Sequence, residues 1–375
     1  MRVHFFSHRP SVPPDHGVPF ERVLGGLTGG NTGNQLFFSA LERQVQSSSV
    51  SFGYRFNADE INAEAGLVVI PAANWLARGN DFSAWRDILA PVKVPIVMAG
   101  LGAQASLDAT IPEVSEGTLS FLRLVAERTE AIGTRGYFTS EALAHYGIHN
   151  TRTVGCPTLY YHCRPDFPTV QPPRGLTPSQ VVIQATRHEA RPDSLRRPGP
   201  SSIQRRLLAV AQSSSFHYIL QSEKEEILFK LAGRLPEESE ARLLAYYQVG
   251  SLSELAPFLA RMRVFLNVDD WMTFLATMAF VCGSRIHGVI ASLLAGTPAT
   301  LFAHDSRTAE MAAFAGLPVY DQEEFLREAE RNGPTAAVNR VAEAWSLASF
   351  LSRYPENYSA YRQFMEDNRV PHRLG

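Results

Sequence analysis

The chain has 375 residues, three cysteines and a formal net charge of −2. This length predicts two domains rather than a single core. The near-neutral charge argues against a general nucleic-acid binder, which should carry a basic face. Three cysteines are too few for a disulfide framework and favour a reduced, cytoplasmic protein. No apolar run reaches the roughly 18 residues of a membrane helix, and peripheral action at the inner face of the membrane stays open.

The first half of the chain alternates apolar strand patterns with helical ones. Strands are predicted at 2–7, 67–71, 95–98, 131–134 and 151–154, and helices from Gln35 onward, at 114–128 and at 139–146. Thr139 is the predicted N-cap of the last helix. The glycine-rich segment 25–34 is predicted as a loop that either serves as a flexible turn or brings backbone amides to an anion. It is not a P-loop, because no Lys-Ser/Thr pair follows the last glycine.

A proline-rich stretch at 162–180 separates this half from a second series of the same kind. We predict an N-terminal α/β domain at 1–165, a linker at 166–180, a C-terminal α/β domain at 181–350 and a helical tail at 351–375. Strands are predicted at 181–185, 217–221, 264–268, 279–282, 299–303 and 319–320, and helices at 203–211, 223–232, 251–261, 270–278, 286–295 and 308–315. Asp269 and Asp270 are the predicted caps of the helix at 270–278.

Cationic side chains stand where predicted strands end. Arg285 and His287 lie between a strand and a helix, and Arg135 occupies the same kind of junction in the first half. His304 and Arg307 follow the next strand of the second half. A helix N-terminus offers unpaired N–H groups and a positive dipole end, so these junctions predict a site for a phosphate or a carboxylate. Parallel sheets collect ligands at the same strand ends.

The segment 100–105, Gly-Leu-Gly-Ala-Gln-Ala, matches the dinucleotide pattern G-x-G-x-x-A by letter. The pattern alone is weak, and no acidic residue closes a second strand about 20 residues later, as the fingerprint requires. A dinucleotide-binding oxidoreductase is therefore an alternative of low specificity.

Six short motifs follow one another from position 31 to 307. They are Asn31-Thr32-Gly33-Asn34, Gly100-Leu101-Gly102-Ala103-Gln104, Arg135-Gly136, Gly155-Cys156-Pro157-Thr158, Arg285-Ile286-His287-Gly288 and His304-Asp305-Ser306-Arg307. Each motif is weak alone, but the series in this order is fairly specific and resembles that of the polysaccharide pyruvyl transferases. One position departs from the family pattern, because Asn34 stands where an aspartate is common and cannot act as an acid.

The resemblance implies two Rossmann-like domains, each a parallel sheet flanked by helices, in a GT-B-like arrangement with the ligand cleft between them. It implies transfer of the pyruvyl carbons of phosphoenolpyruvate to two hydroxyls of a sugar, with release of phosphate. The sequence has neither an H-E-x-x-H nor a C-x-x-C motif, so no metal or other cofactor is expected. The acceptor would be a cell-surface polysaccharide or its lipid-linked precursor, selected by residues 189–262. No nucleic-acid partner is expected, and a homodimer stays open. The candidate catalytic residues for this chemistry are His287, His304 and Asp305. His304 alternatively binds the phosphate, and Asp305 either orients one of the imidazoles or only caps the helix that starts near Arg307. The candidate substrate-binding residues are Arg135, Arg285, Arg307, Asn31, Gly33, Asn34, Gln104 and Gly288.

Two further alternatives fit the same fold. A glycosyltransferase would use a nucleotide sugar and would need an acidic residue for the ribose, for which Glu310 is the nearby candidate. A non-catalytic relative would bind a sugar without turnover. A catalyst would use His287 to transfer protons, whereas a binder would not need it for this purpose. The alternative for His287 is a structural role, in which it caps the turn.

Overall fold

The computed structural model describes residues 1–13, 17–105, 110–185 and 203–375, with only the backbone of residue 203. Its N-terminal half holds a six-stranded sheet in the order β2-β1-β3-β4-β5-β6, in which every strand pair is parallel. The strands are β1 (Arg2–Phe5), β2 (Ser49–Phe52), β3 (Ala65–Pro71), β4 (Ile96–Leu101), β5 (Ile132–Thr134) and β6 (Thr151–Thr153). The helices are α1 (Phe20–Thr28), α2 (Asn34–Gln44), α3 (Ala58–Glu64), α4 (Ser83–Leu89), α5 (Glu116–Ala126) and α6 (Tyr137–His145), and a 3₁₀ turn (Pro157–Tyr160) follows β6.

The C-terminal half holds a second parallel sheet of five strands in the order β11-β10-β7-β8-β9. Its strands are β7 (Val181–Gln184), β8 (His217–Leu220), β9 (Met262–Val264), β10 (Phe280–Gly283) and β11 (Ala299–Leu301), and a 3₁₀ turn (Pro178–Gln180) precedes β7. The helices are α7 (Ile203–Ser213), α8 (Lys224–Ala232), α9 (Glu237–Tyr247), α10 (Leu252–Arg261), α11 (Val268–Ala276), α12 (Ile286–Leu294), α13 (Ser306–Ala315), α14 (Gln322–Asn332), α15 (Pro334–Glu343) and α16 (Ala348–Asp367).

The strand burial explains why the sequence forms this architecture. All residues of β4, β7 and β10 are buried, as expected for parallel strands that carry helices on both faces. One continuous apolar core joins the two halves, because it includes α2 of the first half and α12 of the second. The predicted fold class, two Rossmann-like α/β domains in a GT-B-like arrangement, is confirmed.

The last helix, α16, returns to the N-terminal half. The Tyr361 ring stacks on Tyr160 with 4.5 Å between centroids, and its hydroxyl donates to Gln44 Oε1 at 2.7 Å. Asn368 Oδ1 accepts from Thr129 Oγ1 at 2.6 Å and from the backbone N–H of Glu130 at 3.0 Å. The end of the chain therefore ties the second half back onto the first.

Several local predictions are wrong. The predicted glycine loop is partly helical, because α1 runs through Gly25 and Gly26 and stops only at Gly29, whose φ of 64° ends the helix. Thr139 is not an N-cap, since α6 already begins at Tyr137. The strand predicted at 264–268 lies earlier, at Met262–Val264, and the strand at 319–320 is reduced to one bridge between Leu301 and Val319.

The predicted caps at Asp269 and Asp270 are also wrong. Asn267 is the N-cap of α11, and its Oδ1 accepts from the backbone N–H of Asp270 at 2.8 Å. The sequence analysis missed β2, α1, α3, α4 and α9. Within the described residues, no helix is long and apolar enough to cross a membrane.

Candidate active site

A cavity of about 90 Å³ lies between the two halves, at the carboxyl ends of both sheets. In the second sheet it lies where the strand order reverses, between β7 and β10, which is the usual ligand position in an open α/β sheet. Both halves contribute side chains to it. The lining residues are Asn31, Asn34, Phe37, Ala73, Asn74 and Arg135 from the first half and Gln221, Ser284, Arg285, Ile286, His287, His304 and Arg307 from the second.

Arg135 is the most buried cation of the site, with 1% of its surface exposed. It follows β5 directly, and its Nη1 and Nη2 donate to Asn74 Oδ1 at 3.1 Å and to Ala72 O at 3.2 Å. Its Nε finds no hydrogen-bond acceptor, and it forms no ion pair with a carboxylate in the described part of the chain. A buried charge held only by neutral groups is costly, so an anion in the cavity would be strongly favoured.

Arg285 sits at the N-cap of α12 and is held by protein groups. Its Nη2 donates to Glu223 Oε1 at 3.0 Å and to the Ser222 hydroxyl, and its Nε donates to Ala185 O at 3.3 Å. Glu223 is buried, and its other oxygen accepts from two backbone N–H groups of the same turn. Burial would raise the pKa of Glu223, but the Arg285 charge and these hydrogen bonds hold that pKa below its usual value.

Arg307 lies in the first turn of α13 and pairs with Asp305, whose Oδ2 is 3.2 Å from Arg307 Nη2. Asp305 caps this helix, because its Oδ1 accepts from the Thr308 backbone N–H at 2.8 Å. Burial would raise the pKa of Asp305, yet the Arg307 charge keeps that pKa lowered. His304 Nε2 lies 3.8 Å from Asp305 Oδ2, so the carboxylate stands behind both side chains that line the cavity.

His287 lies in the first turn of α12 and is 9% exposed. Its Nε2 is 3.8 Å from the buried Cys156 Sγ, and its ring lies 5.7 Å from the Phe37 ring. Burial lowers the pKa of His287 well below its usual value, and the charges of Arg135, Arg307 and Arg285 lower this pKa further, in that order. The imidazole is therefore neutral near pH 7 and can accept a proton.

Two glycines of the predicted site act through packing. A Cβ on Gly288 would lie 1.6 Å from Oε1 of the buried Gln184 side chain, so any larger residue there would require this side chain to move. A Cβ on Gly33 would lie 2.4 Å from Gln221 Oε1, across the boundary between the halves. The backbone N–H of Gly33 donates to Asn31 Oδ1 at 2.8 Å. These glycines set the cavity walls, although neither lines it.

The remaining predicted site residues divide into two groups. The structure brings together Asn31, Asn34, Arg135, Arg285, His287, His304 and Arg307 on one cavity. Asp305 stands behind the wall, and the Gln104 side chain is exposed and outside the lining. Of the segment 189–262, expected to select the acceptor, the part before residue 203 lies outside the described residues.

Sequence reasoning missed several lining residues. Gln221 directly follows β8, and Asn74 lies three residues after the end of β3, so their position near strand ends was a usable signal. Phe37 had no signal beyond the apolar periodicity of α2, because its contact with the cavity depends on the other half of the molecule.

The glycines of the segment 100–105 have structural explanations. Gly100 has a φ of +81°, and a Cβ there would lie 2.9 Å from Pro157 Cδ. A Cβ on Gly102 would lie 3.0 Å from Asn74 Oδ1 and 3.3 Å from Arg135 Cδ. The close approach of Pro157 and Arg135 therefore accounts for both glycines.

Among the described residues, no group of three or more metal-type side chains is close enough to hold an ion.

Several solved structures resemble this chain over most of its length. Anabaena HepE, in complex with UDP and glucose, is 11% identical with a TM-score of 0.44 and covers 97% of this chain and 99% of its own. A putative UDP-N-acetylglucosamine 2-epimerase from Listeria monocytogenes is 12% identical with a TM-score of 0.44, and the match covers 99% of this chain and 98% of the epimerase. The Methanocaldococcus jannaschii UDP-GlcNAc 2-epimerase is 10% identical with a TM-score of 0.41, and the match covers 92% of this chain and 100% of the epimerase. The search of curated proteins gives no match.

A comparison with protein families is more specific. The model of the family described as polysaccharide pyruvyl transferase matches residues 31–306. This span holds every residue that lines the cavity except Arg307, which directly follows it. The chain belongs to the polysaccharide pyruvyl transferase family.

Proposed function

We propose that this protein transfers the pyruvyl group of phosphoenolpyruvate to two hydroxyls of a sugar, in a cytoplasmic step that modifies a polysaccharide or its lipid-linked precursor. The observation that carries the proposal is the convergence of Arg135, Arg285 and Arg307 with His287 on one cavity built by both halves. The donor carries a phosphate and a carboxylate. Guanidinium groups recognise both anions through paired hydrogen bonds, so three arginines suit this donor.

The charge balance of the cavity supports the proposal. Two of the three arginines are partly neutralised, because Arg285 pairs with Glu223 and Arg307 pairs with Asp305. Arg135 is buried, and its hydrogen-bond partners among the described residues are neutral groups. Bringing in the doubly anionic donor would neutralise Arg135 without breaking either existing ion pair.

The size of the cavity favours this donor over a nucleotide sugar. Its volume of about 90 Å³ falls far below the roughly 300–1,000 Å³ of sites that hold drug-sized ligands. Glu310, the candidate ribose ligand of a glycosyltransferase, accepts hydrogen bonds from Thr139 N at 2.8 Å and Thr139 Oγ1 at 3.0 Å. Its carboxylate is therefore engaged in a protein contact.

A proton balance for the reaction follows from the state of His287. The neutral imidazole takes the proton of the first acceptor hydroxyl as that oxygen bonds to C2 of the donor, and the imidazolium protonates the donor methylene to a methyl group. The phosphate then leaves, with its charge held by the arginines, and the second hydroxyl adds to C2. The proton of this hydroxyl leaves with the phosphate. The products are one ketal and one inorganic phosphate, and no oxidant or reductant is needed.

The experiment combines donor binding with turnover. Calorimetry with phosphoenolpyruvate should show binding to the wild-type protein and about 10-fold or greater weakening in Arg135→Lys, because lysine keeps the charge and loses the guanidinium fork. Phosphate release with a panel of galactosides, glucosides and N-acetylhexosamines should fall at least about 100-fold in His287→Asn.

Arg152→Lys is the matched control, since Arg152 pairs with Asp367 away from the cavity and should bind the donor normally. The proposal fails if the folded wild-type protein does not bind phosphoenolpyruvate. Tight binding of a nucleoside diphosphate instead would support the glycosyltransferase alternative.

A further inference from the structure

A second concavity, of about 600 Å³, lies beside the donor cavity where α6, α13 and α16 meet. We call it the tyrosine groove, after Tyr137 on its rim. Its volume falls within the range of small-molecule sites. Its lining residues are Tyr137, Phe138, Ser306, Ala309, Glu310, Ala313, Phe314, Arg353, Glu356 and Asn357.

The tyrosine groove borders the donor cavity on two sides. Ser306 lines the groove, and the next residue, Arg307, lines the cavity, so the first turn of α13 separates the two spaces. On the opposite side, Tyr137 lies two residues after Arg135 at the start of α6. A molecule bound in the groove would therefore lie next to the donor cavity.

The apolar surface of the groove is suited to the face of a sugar ring. Tyr137 is 68% exposed, an unusual state for a large aromatic side chain, and its ring meets the Phe314 ring edge-on at 6.2 Å between centroids. Ala309 and Ala313 add small apolar side chains one helical turn apart on α13. The C–H bonds of a pyranose ring form an apolar face that stacks on such an aromatic ring, while the tyrosine hydroxyl stays in water.

The opposite rim of the groove carries polar and charged side chains. Arg353, Glu356 and Asn357 are three and four residues apart on α16, so they share one face of that helix. Asn357 Nδ2 donates to Phe314 O at 3.4 Å, and Arg353 Nη1 donates to the Ala313 carbonyl. Guanidinium, carboxylate and amide groups together offer donors and acceptors that match the neighbouring hydroxyls of a sugar.

We propose that the tyrosine groove binds the glycan acceptor, with Tyr137 as the stacking platform and the α16 side chains as hydrogen-bond partners. This inference rests on the proposed function for its choice of a sugar, because a pyruvyl transferase of polysaccharides needs a glycan site that adjoins its donor cavity. It assigns acceptor recognition to α6, α13 and α16, outside the segment 189–262.

The test measures glycan binding separately from turnover. Ligand-observed NMR titrations use methyl β-lactoside, methyl β-cellobioside and methyl β-N,N′-diacetylchitobioside as probes. Tyr137→Ala should weaken binding of at least one probe about tenfold, the loss of a stacking contact, whereas Tyr137→Phe should stay within about threefold. Leu351→Ala, an exposed position of α16 outside the groove lining, should bind as the wild-type protein does.

The outcomes separate this inference from the proposed function. Binding of phosphoenolpyruvate by calorimetry should be the same in all three variants. Absence of probe binding in the wild-type protein, or equal binding in Tyr137→Ala, overturns the groove assignment and leaves the donor site standing. Concentration-dependent self-association that Tyr137→Ala abolishes would also overturn it, because the groove would then hold a second copy of the chain. Glycan binding without binding of phosphoenolpyruvate would support the groove assignment and contradict the proposed reaction.

Discussion

The two arginine-bearing junctions look alike in sequence and differ in how their charge is balanced. At the first junction, β5 leads through Arg135 into α6, and the carboxylate of Glu310 from α13 accepts from the Thr139 backbone N–H in the first turn of α6. At the second, β10 leads through Arg285 into α12, and no side chain of the described residues caps the first turn.

The arginines show the opposite pattern. Arg285 is paired with the buried Glu223, whereas Arg135 has only neutral partners in the described part of the chain. Each junction thus retains one positive element that no carboxylate of the described residues contacts directly: the guanidinium at the first and the helix N-terminus at the second. The two halves therefore divide the positive charge around the cavity, because each half neutralises the element that the other leaves available.

The largest effect expected from this contrast concerns stability. Arg285→Gln leaves the Glu223 carboxylate buried without its cation, which should lower the free energy of unfolding by about 3–5 kcal/mol. Arg135→Gln removes a buried charge that makes no direct ion pair within the described residues, so its free energy of unfolding should change by less than about 1.5 kcal/mol. Both variants should bind phosphoenolpyruvate more weakly. Urea denaturation without the donor measures the difference.

The double variant Arg285→Gln/Glu223→Gln is the control, because it removes both charges and should recover much of the lost stability. Equal destabilisation by Arg135→Gln and Arg285→Gln would contradict the charge contrast between the junctions.

A smaller effect, in pH dependence, should come from His287. Its pKa is lowered in the folded protein, so the folded state takes up a proton less readily than the unfolded state does. The free energy of unfolding should therefore fall as pH drops below about 6.5 toward the folded pKa, by up to about 1.4 kcal/mol per pH unit, and stay level above that range. His287→Asn should remove this part of the slope in denaturation curves recorded across that range.

The bound donor should reverse the shift, since its negative charge raises the pKa of His287. Proton uptake on binding appears in calorimetry as an enthalpy that varies with the ionisation enthalpy of the buffer. His217→Asn is the matched control, because burial lowers the pKa of His217 far from the cavity. If His287→Asn takes up as many protons as His217→Asn, the uptake does not involve His287.

The positions of most buried strands, and of the arginines near strand ends, follow from local patterns in the sequence. Buried strands read as short apolar runs, and Arg135, Arg285 and Arg307 each stand near a strand end. Those features depend on neighbours in the chain. The ion pair of Arg285 with Glu223 joins residues 62 positions apart, so periodicity could not predict it.

The local errors have the same origin. Threonine is a residue type that favours the N-cap position, yet the helix begins before Thr139. The Thr139 backbone N–H donates instead to the carboxylate of Glu310, 171 residues away in the chain. The cap of α11 falls on Asn267 rather than on the aspartates that follow, because any of these residue types can accept from a helix N-terminus and only the backbone geometry decides. Prediction from sequence thus located most of the buried strands, missed the exposed strand β2 and four helices, and was weak for the partners of side chains.

The smallest expected effect tests the contact between Glu310 and α6. A Cβ on Gly136 would lie 2.0 Å from Glu310 Cγ, so Gly136→Ala should displace this side chain from Thr139. The Gly136 φ of −170° is open to alanine, so the substitution acts through that contact. Gly136→Ala and Glu310→Ala should each cost about 1–2 kcal/mol, and the double variant should cost little more than either alone. Hydrogen exchange at the Thr139 amide should quicken in all three. Additive losses would mean that Gly136 matters for a reason other than Glu310, and the α6 terminus would then lack the neutralisation that sets the two junctions apart.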